Sequence, residues 1–254
     1  MNLPINEQTV LITGAGRGLG SSISKSFHRE GAKVIINYRK SYKSAKRLSD
    51  SLGDKAILIK GDIRNKEEVL QMSKELSDQK IIINTIVHNA INDYKFNGEQ
   101  RKKIDEIDWQ DFQNQIETSQ KGFLNLLNIF TPNMRTNHFG RFITVGTNLF
   151  QNPVVPYHDY TAAKGGLLSI TRTAAIDLGR FNITVNMISG GLLKITDASK
   201  DTPEEVFDYI KSITPLRRVT TIDDFSDATL FFASPWSRAI TGQNLIVDGG
   251  LVLN

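Results

Sequence analysis

The sequence contains no cysteine, so disulfide bonds, thiolate zinc sites and thiol catalysis are excluded. It also lacks any stretch approaching the roughly 20 apolar residues that a membrane-spanning helix needs. The first residues show no basic run followed by an apolar segment, which is the pattern of a secretion signal. We therefore expect a cytoplasmic protein that does not contact a membrane, and we predict no metal site.

Charge of one sign is not concentrated anywhere in the chain. The 31 basic residues are interleaved with 27 acidic ones, and the net charge is only +4. Proteins that bind nucleic acid usually show a basic stripe or an aromatic platform, and neither is visible here. We therefore expect no nucleic-acid partner. With 39% hydrophobic and 23% charged residues, the composition is that of an ordinary globular protein.

Short apolar runs of strand character alternate along the chain with segments of helical period. This alternation predicts an α/β fold in which helices cover both faces of a seven-stranded parallel sheet. No linker, repeat or low-complexity tract interrupts the pattern, so we predict one domain over residues 1–254. The predicted strands are Thr9–Thr13, Lys33–Tyr38, Ala56–Lys60, Ile81–His88, Arg141–Val145, Thr184–Ile188 and Asn244–Val247. The predicted helices are Leu19–Glu30, Tyr42–Ser51, Lys66–Ser77, Trp109–Met134, Tyr157–Leu178, Pro203–Ile213 and Ile222–Ala233.

A glycine-rich turn, TGAGRGLG over Thr13–Gly20, follows the first predicted strand and opens a helix. Glycines at such a turn let backbone amides approach a pyrophosphate, whose negative charge is favoured at a helix N-terminus. The alternative is an ordinary glycine-rich connection between a strand and a helix. Because the turn follows the first strand of a strand–helix alternation, we favour a dinucleotide site.

The second predicted strand is followed by Arg39, near the point where an NAD-selective site usually carries Asp or Glu on the ribose hydroxyl. Arg39 and Arg17, which lies in the glycine-rich turn, are suited to the additional phosphate of NADP, because a guanidinium binds phosphate through paired charge-assisted hydrogen bonds. The alternative is a solvated basic surface patch. We predict NADPH or NADP as the cofactor.

Tyr160 and Lys164 are four residues apart in a predicted helix, so their side chains lie on one face. A phenol has a pKa of about 10, and a neighbouring ammonium lowers it by favouring the phenolate. Tyr160 is therefore a candidate to exchange a proton with a carbonyl or alcohol oxygen while a nicotinamide exchanges the hydride. The pair alone is a weak pattern, since most such pairs belong to surface helices.

Taken together, these motifs closely resemble those of the short-chain dehydrogenase/reductase family over essentially the whole chain. The catalytic Ser of that family falls at Thr147, its Tyr at Tyr160 and its Lys at Lys164. The match is particularly close to 3-oxoacyl-(acyl-carrier-protein) reductases, which implies a Rossmann fold, NADPH-dependent ketone reduction and a homodimer or homotetramer. The cofactor-binding positions that the resemblance implies are Gly14, Arg17, Gly18, Leu19, Gly20, Arg39, Asp62, Ile63, Asn89, Ala90, Tyr160, Lys164, Gly191 and Thr196.

The chain departs from the family at two catalytic positions. Thr147 keeps the hydroxyl of the usual Ser but adds a methyl group that restricts χ1. Ser119 stands where the family has the Asn that fixes a proton-relay water through a helix carbonyl. Because Ser is shorter than Asn, we expect such a water to be held less rigidly.

Further departures lie around the nicotinamide end of the expected site. The family's NNAG stretch is His88-Asn89-Ala90-Ile91, and Ile91 cannot easily adopt the positive φ of glycine. His88 has three interpretations, a satisfied core histidine, a ribose contact or an auxiliary acid, of which we favour the first. The usual Pro-Gly after the sixth strand is Gly190-Gly191, and a Thr that often contacts the nicotinamide amide falls at Ile195, beside Thr196.

Two less regular stretches, Ile91–Ile107 and Gly190–Thr202, follow predicted strands at the edge where open parallel sheets bind ligands. We place the pocket for a small carbonyl or acyl thioester substrate there. The arginines that dock the acidic carrier in the related reductases would fall near His138 and Phe181. Neither has a permanent positive charge, so an acyl carrier protein has little support as a partner unless Arg135, Arg141 or Arg180 compensates.

Two other functions fit the same residues. An NADP-linked alcohol dehydrogenase would use the same groups in the oxidative direction. A cofactor-binding sensor would keep the fold without efficient chemistry, since fold does not guarantee activity. The departures at Ser119, Ile91 and Ile195 motivate the sensor, whereas the retained Thr147 and Tyr160 weigh against it.

Overall fold

The protein, whose computed structural model describes residues 3–92, 94, 96–194, 199 and 202–253, forms one sheet of seven parallel strands. The spatial order of the strands is β3-β2-β1-β4-β5-β6-β7. The α/β class, the Rossmann-type topology and the seven-stranded parallel sheet are thereby confirmed. The strands are β1 (Thr9–Ile12), β2 (Lys33–Tyr38), β3 (Ala56–Lys60), β4 (Thr85–His88), β5 (Gly140–Thr147), β6 (Ile183–Gly190) and β7 (Asn244–Val247).

Helices cover both faces of the sheet, as the alternating pattern predicts. None of the helices in the described ranges is both long enough and apolar enough to cross a bilayer. The helices are α1 (Gly18–Arg29), α2 (Tyr42–Leu52), α3 (Lys66–Asp78), α4 (Trp109–Ile116), α5 (Gly122–Thr136), α6 (His158–Leu178), α7 (Glu204–Ile213) and α8 (Ile222–Ala233).

The core has two layers because successive strand residues point to opposite faces. On β1, Leu11 belongs to the layer that also contains Phe123 of α5, whereas Val10 and Ile12 belong to the layer that contains Phe27 of α1. Strands buried on both faces are mainly apolar along their length. The uninterrupted apolar runs in the sequence therefore follow from the position of the strands between the two layers.

Two predicted elements differ from the structure by more than two residues, each for a physical reason. The fourth strand begins at Thr85 and not at Ile81, because the preceding residues still cross from α3 to the sheet and Ile82 is half exposed. The predicted helix Trp109–Met134 is divided into α4 and α5 by a π-helical segment, Glu117–Lys121. Such a segment widens the helix and often marks a functional position.

The strand order reverses between β1 and β4, because β2 and β3 extend to one side of β1 and the later strands extend to the other. In open α/β sheets, ligands bind outside the carboxyl ends of the strands at this reversal. The glycine-rich turn after β1 and the loop after β4 therefore meet at the expected binding edge.

Candidate active site

The glycine-rich turn joins β1 to α1 at this edge. Gly14 and Gly18 have φ angles of +63° and +53°, which other residues rarely adopt. A Cβ on Gly18 would meet nothing within 4 Å, and the Arg17 side chain does not cap the helix. The first-turn N–H groups of Gly18, Leu19 and Gly20 have no partners within the helix. The turn therefore has the open space, the donors and the helix dipole that fit a dinucleotide pyrophosphate.

The loop after β4 is fixed against the glycine-rich turn. The hydroxyl of Thr13 accepts the backbone N–H groups of Asn89 and Ala90 at 3.1 and 3.0 Å. The Asn89 amide donates in return to the Thr13 carbonyl at 3.0 Å. A Cβ on Gly14 would lie 3.0 Å from the Ala90 backbone, and Ile91 avoids positive φ. The structure thus brings these predicted cofactor positions together.

Arg39 and Asp62 lie together at the opposite end of the expected cofactor site. Arg64 donates to Asp62 at 2.6 Å, whereas the Arg39 guanidinium is 3.6 Å from the same carboxylate. Burial alone would raise the pKa of Asp62, but the hydrogen bonds and charge of Arg64, with the charge of Arg39, bring it below its usual value. Asp62 therefore remains ionised, and its closest cation is Arg64.

Three further residues, Ile63, Gly191 and Thr196, are predicted to contact the cofactor. Ile63 is buried against Gly122, and its carbonyl accepts the Asn125 amide at 2.8 Å, so its side chain belongs to the core. Gly191 follows β6, and a Cβ there would be 2.8 Å from the Asn148 amide nitrogen. Thr196 lies outside the described residues, as does Ile195.

Thr147 and Tyr160 are brought together at the carboxyl end of β5. Thr147 is the last residue of that strand, and its hydroxyl accepts the Leu149 N–H at 3.3 Å. Tyr160 is in the first turn of α6 and is only 8% exposed. Burial raises the pKa of Tyr160 to about 12, although a hydrogen bond with Thr147 acts in the lowering direction. The expected lowering of this pKa is therefore not found.

Lys164 lies one turn after Tyr160 and is also buried. Its Nζ donates to the Val145 carbonyl at 2.7 Å and lies 5.8 Å from the centre of the Tyr160 ring. Burial lowers the pKa of Lys164 to about 8. The ammonium contacts a carbonyl and lies over the Tyr160 ring, and burial decides the direction in which the pKa of Tyr160 moves.

Ser119 lies in the π-helical segment that separates α4 from α5. It is buried, and its carbonyl accepts a hydrogen bond from His88 Nε2 at 3.0 Å. The neighbouring Gln120 donates to the Ala163 carbonyl of α6 at 3.3 Å, and a side chain on Gly166 would collide with Gln120. Ser119 is therefore held close to the helix that carries Tyr160.

His88 is 1% exposed and stacks on Phe123, with 5.4 Å between ring centres. Its Nε2 must carry the proton because the Ser119 carbonyl only accepts, and Nδ1 has no hydrogen-bond partner among the described residues. Burial, and then the charge of Lys164, lower the pKa of His88 to about 3. His88 is thus a neutral core histidine with one paired nitrogen, and the charge needed for an auxiliary acid is absent at neutral pH.

The buried His88 should make the protein less stable in mild acid. Its pKa is about 3 in the folded state against 6.5 ordinarily, so the unfolded chain takes up the proton first. Below pH 6.5 this residue should reduce the free energy of unfolding by about 1.4 kcal/mol per pH unit, an effect that ends near pH 3. Urea denaturation at several pH values should show a shallower decline for His88→Asn. Parallel declines in the two proteins would contradict the assignment.

The arginines near the carrier-docking positions differ in accessibility. Arg141 is 1% exposed and donates to the Asn182 carbonyl at 3.0 Å, so it cannot meet a partner protein. The guanidinium carbons of Arg135 and Arg180 lie 4.7 and 4.8 Å from the centre of the Phe181 ring. Arg141 therefore cannot supply the missing positive charge. Arg135 and Arg180 cluster around Phe181, and Arg135 also pairs with Asp177 at 3.3 Å.

Residues that the sequence did not identify also surround Tyr160. Tyr94 and Phe96, from the loop after β4, lie with their ring centres 5.2 and 5.3 Å from that of Tyr160. Asp159, directly before Tyr160, pairs with Arg101 at 2.9 Å. The only sign of this cluster in the sequence is that two aromatic residues, Tyr94 and Phe96, occur close together in the loop. Their spacing does not show which way the side chains point.

Comparison with known proteins agrees with this geometry. Residues 14–252 match the family model described as enoyl-(acyl carrier protein) reductase. The chain is 30% identical over 249 residues to the 3-oxoacyl-(acyl-carrier-protein) reductase of Staphylococcus epidermidis, covering 97% of this chain and 99% of that protein. It is 29% identical to the 7α-hydroxysteroid dehydrogenase of Escherichia coli, covering 98% of this chain and 96% of that protein.

A solved structure shares the same architecture. It is the gluconate 5-dehydrogenase of Burkholderia cenocepacia in complex with NADP and tartrate, with a TM-score of 0.87 and 25% sequence identity. The alignment covers 98% of this chain and 96% of that one. The three relatives are named for different substrates, so the comparison leaves the substrate of this chain to be argued from its own residues.

Proposed function

Because the chain belongs to the short-chain dehydrogenase/reductase family of oxidoreductases, we propose that it reduces a ketone to a secondary alcohol with NADPH. The observation that carries the proposal is the placement of Tyr160 beside Thr147 and Lys164, at the edge of the sheet that holds the glycine-rich turn. When bound, the reduced nicotinamide supplies the hydride.

Each catalytic side chain has one task in this proposal. The Thr147 hydroxyl orients the carbonyl oxygen of the substrate, and Tyr160 donates a proton to that oxygen. Lys164 holds the nicotinamide ribose through its buried ammonium. Ser119 supports the resupply of protons, because a carbonyl oxygen accepts two hydrogen bonds and His88 occupies only one of them.

The raised pKa of Tyr160 favours the reductive direction. With a pKa of about 12 the phenol keeps its proton at neutral pH, which is the form that a general acid requires. Alcohol oxidation, the second candidate, needs the phenolate and would be favoured only under alkaline conditions. The same group therefore serves both directions, but its resting protonation state matches reduction.

The proposed cofactor contacts extend along the edge of the sheet. The amides of the glycine-rich turn hold the pyrophosphate, and Arg39 with Arg17 holds the additional phosphate of NADPH. Arg39 supports this assignment because it directly follows β2, the strand beside β1 and its glycine-rich turn, where it places a guanidinium at the edge of the sheet. The other proposed cofactor positions are Asp62, Ile63, Asn89, Ala90, Tyr160, Lys164, Gly191 and Thr196.

A panel of ketones tests the proposed function directly. Aliphatic, cyclic and aromatic ketones and a 3-oxoacyl thioester are supplied with NADPH, and oxidation of the cofactor is followed by its absorbance. We expect turnover of at least one class. Binding of NADPH, measured by fluorescence, without turnover of any ketone would favour the sensor.

Replacing Arg39 by aspartate should change the choice of cofactor. The substitution removes a hydrogen-bonded cation from the phosphate that only NADPH carries, so the dissociation constant for NADPH should rise by about 10-fold to 100-fold. The constant for NADH should change far less. Lys43→Asp, on the exposed face of α2, is the control for added negative charge. Equal affinity of the unmodified protein for both cofactors would refute the assignment.

We propose that the active unit is a homodimer or homotetramer formed through the α4–α6 side of the molecule. Trp109 of α4, Leu124 of α5 and Ile176 of α6 are large apolar residues that remain exposed in the single chain. Such residues on neighbouring helices favour burial against another copy. Cytoplasmic location and a small carbonyl substrate remain part of the proposal, and the Arg135–Arg180 cluster is where an acidic carrier would dock.

A further inference from the structure

A cluster of aromatic rings covers the catalytic tyrosine. We name Tyr94, Phe96 and Tyr157 the aromatic wall. The centres of the three rings are 4.9 to 5.7 Å apart, and the Tyr94 ring lies at 30° to that of Tyr160. Phe96 meets Tyr160 edge-on at 80°. These rings pack around Tyr160, which is only 8% exposed, so they lie next to any substrate that reaches its hydroxyl.

The aromatic wall is anchored to the residue that precedes Tyr160. Asp159 is 2% exposed and accepts hydrogen bonds from Tyr94 at 3.2 Å and from Arg101 at 2.9 Å. The Arg101 guanidinium carbon lies 4.3 Å from the centre of the Tyr94 ring. Hydrogen bonds to an ionised group are shorter and stronger than those between neutral groups, so they fix a side chain more firmly. The wall therefore has a defined position relative to the catalytic hydroxyl.

A second contact fixes the other side of the wall. The backbone N–H of Gly98 donates to the Tyr157 hydroxyl at 2.7 Å, which ties the loop after β4 to the start of α6. Beyond Tyr157 lies a cleft of about 560 Å³, lined mainly by apolar residues that include Phe112, Val154 and Pro156. The surroundings of the wall are therefore apolar as well.

The charge at the wall is balanced. Arg101 is the cation nearest Tyr94 among its described contacts, and Asp159 neutralises it through a direct ion pair. An anionic group would have to displace a buried carboxylate to use Arg101, which is costly. The wall therefore offers flat aromatic surface without a free charge.

We propose that the aromatic wall holds the substrate against Tyr160, and that this substrate carries its ketone next to a flat aromatic ring. The inference rests on the proposed ketone reduction and names the substrate class of the same site. Entry of any substrate separates rings that now contact each other. An aromatic ligand restores those contacts in stacked or edge-on geometry, whereas a saturated chain restores only the apolar area.

Two ketones with the same carbon skeleton isolate the contribution of the aromatic face. Acetophenone and cyclohexyl methyl ketone differ only in the saturation of the ring, and methyl hexyl ketone serves as the open-chain comparison. The catalytic efficiency kcat/KM is measured for each with NADPH. Because the three ketones differ in intrinsic reactivity, the informative quantity is how their ratios change between the wild type and its variants.

Truncation of the wall should reduce the preference for the aromatic ketone. In Tyr94→Leu and in Phe96→Leu, the ratio of kcat/KM for acetophenone to that for cyclohexyl methyl ketone should fall about fivefold. Tyr94→Phe is the matched control, since it keeps the ring and loses only the hydrogen bond to Asp159. Its ratio should stay near the wild-type value.

The outcomes separate the two proposals. If no ketone is reduced although NADPH binds, the proposed function fails. If ketones are reduced but the ratio is the same in the wild type and both leucine variants, the aromatic wall does not select the substrate and this inference is overturned. Thermal melting identifies a variant that has lost its fold, and the second leucine variant then decides the matter.

Discussion

Replacing Tyr160 by phenylalanine should lower kcat for ketone reduction by about 10²-fold to 10⁴-fold, the range typical of a lost general acid. The ring and its contacts with the aromatic wall are kept, so the fold and the affinity for NADPH should be nearly unchanged. The only group removed is the Tyr160 hydroxyl, which lies beside Thr147. Steady-state kinetics and a fluorescence titration of NADPH measure the two quantities separately.

A second tyrosine provides the control for this experiment. Tyr157 is also buried and lies in the same aromatic cluster, but its hydroxyl accepts the Gly98 N–H of the loop after β4. Tyr157→Phe should therefore lose a loop contact and less than about tenfold in kcat. If Tyr160→Phe kept most of its activity, or if the two variants lost equal activity, Tyr160 would not be the acid.

The fold was predictable because its signals are local. An apolar run such as Val10-Leu11-Ile12 followed by a glycine-rich turn specifies a buried strand, a phosphate-type turn and a helix start within a few residues. The two larger differences from the predicted elements depend on tertiary context. Ile82 has strand character but lies before the sheet begins, and Glu117–Lys121 has helical residues that the surrounding packing places in a π-helical segment.

The site was predictable where a motif fixes its parts by spacing. Tyr160 and Lys164 share one helix face, and Thr147 ends the strand before that helix, so the structure brings them together. The catalytic roles of these three residues remain predictions, as do the roles of the proposed cofactor-binding residues. The pKa of Tyr160 differed from the expectation because it depends on burial by Tyr94 and Phe96, which spacing cannot reveal.

The contacts that sequence could not predict join distant residues. Arg101 reaches Asp159 across 58 positions, and His88 reaches Ser119 across 31. Neither pair forms a recurring motif, and each side chain alone has an ordinary interpretation as a surface cation or a core histidine. Such pairs become visible only when the topology sets the loop after β4 beside the start of α6, and the end of β4 beside the segment between α4 and α5.

Replacing Gly20 by alanine should disable the cofactor site. A Cβ at this position would lie 2.5 Å from the Gly14 carbonyl oxygen and 2.6 Å from the Asn89 amide nitrogen. No rotamer change relieves a contact with the backbone, and Asn89 is fixed by its bond to the Thr13 carbonyl. Overpacking of this kind costs about 1–3 kcal/mol. We expect the dissociation constant for NADPH to rise up to about 100-fold and the melting temperature to fall by roughly 3–10 °C.

Gly179 offers the matched substitution for this test. It lies at the end of α6 with helical φ and ψ angles of −56° and −38°, and a Cβ there would meet nothing within 4 Å. Gly179→Ala should therefore leave NADPH binding unchanged and raise stability by about 0.4–1 kcal/mol, because the unfolded chain loses freedom. Equal NADPH affinities for Gly20→Ala and Gly179→Ala would show that the close packing of the turn is not required for the dinucleotide. A loss confined to Gly20→Ala would instead assign the turn to the cofactor independently of any substrate.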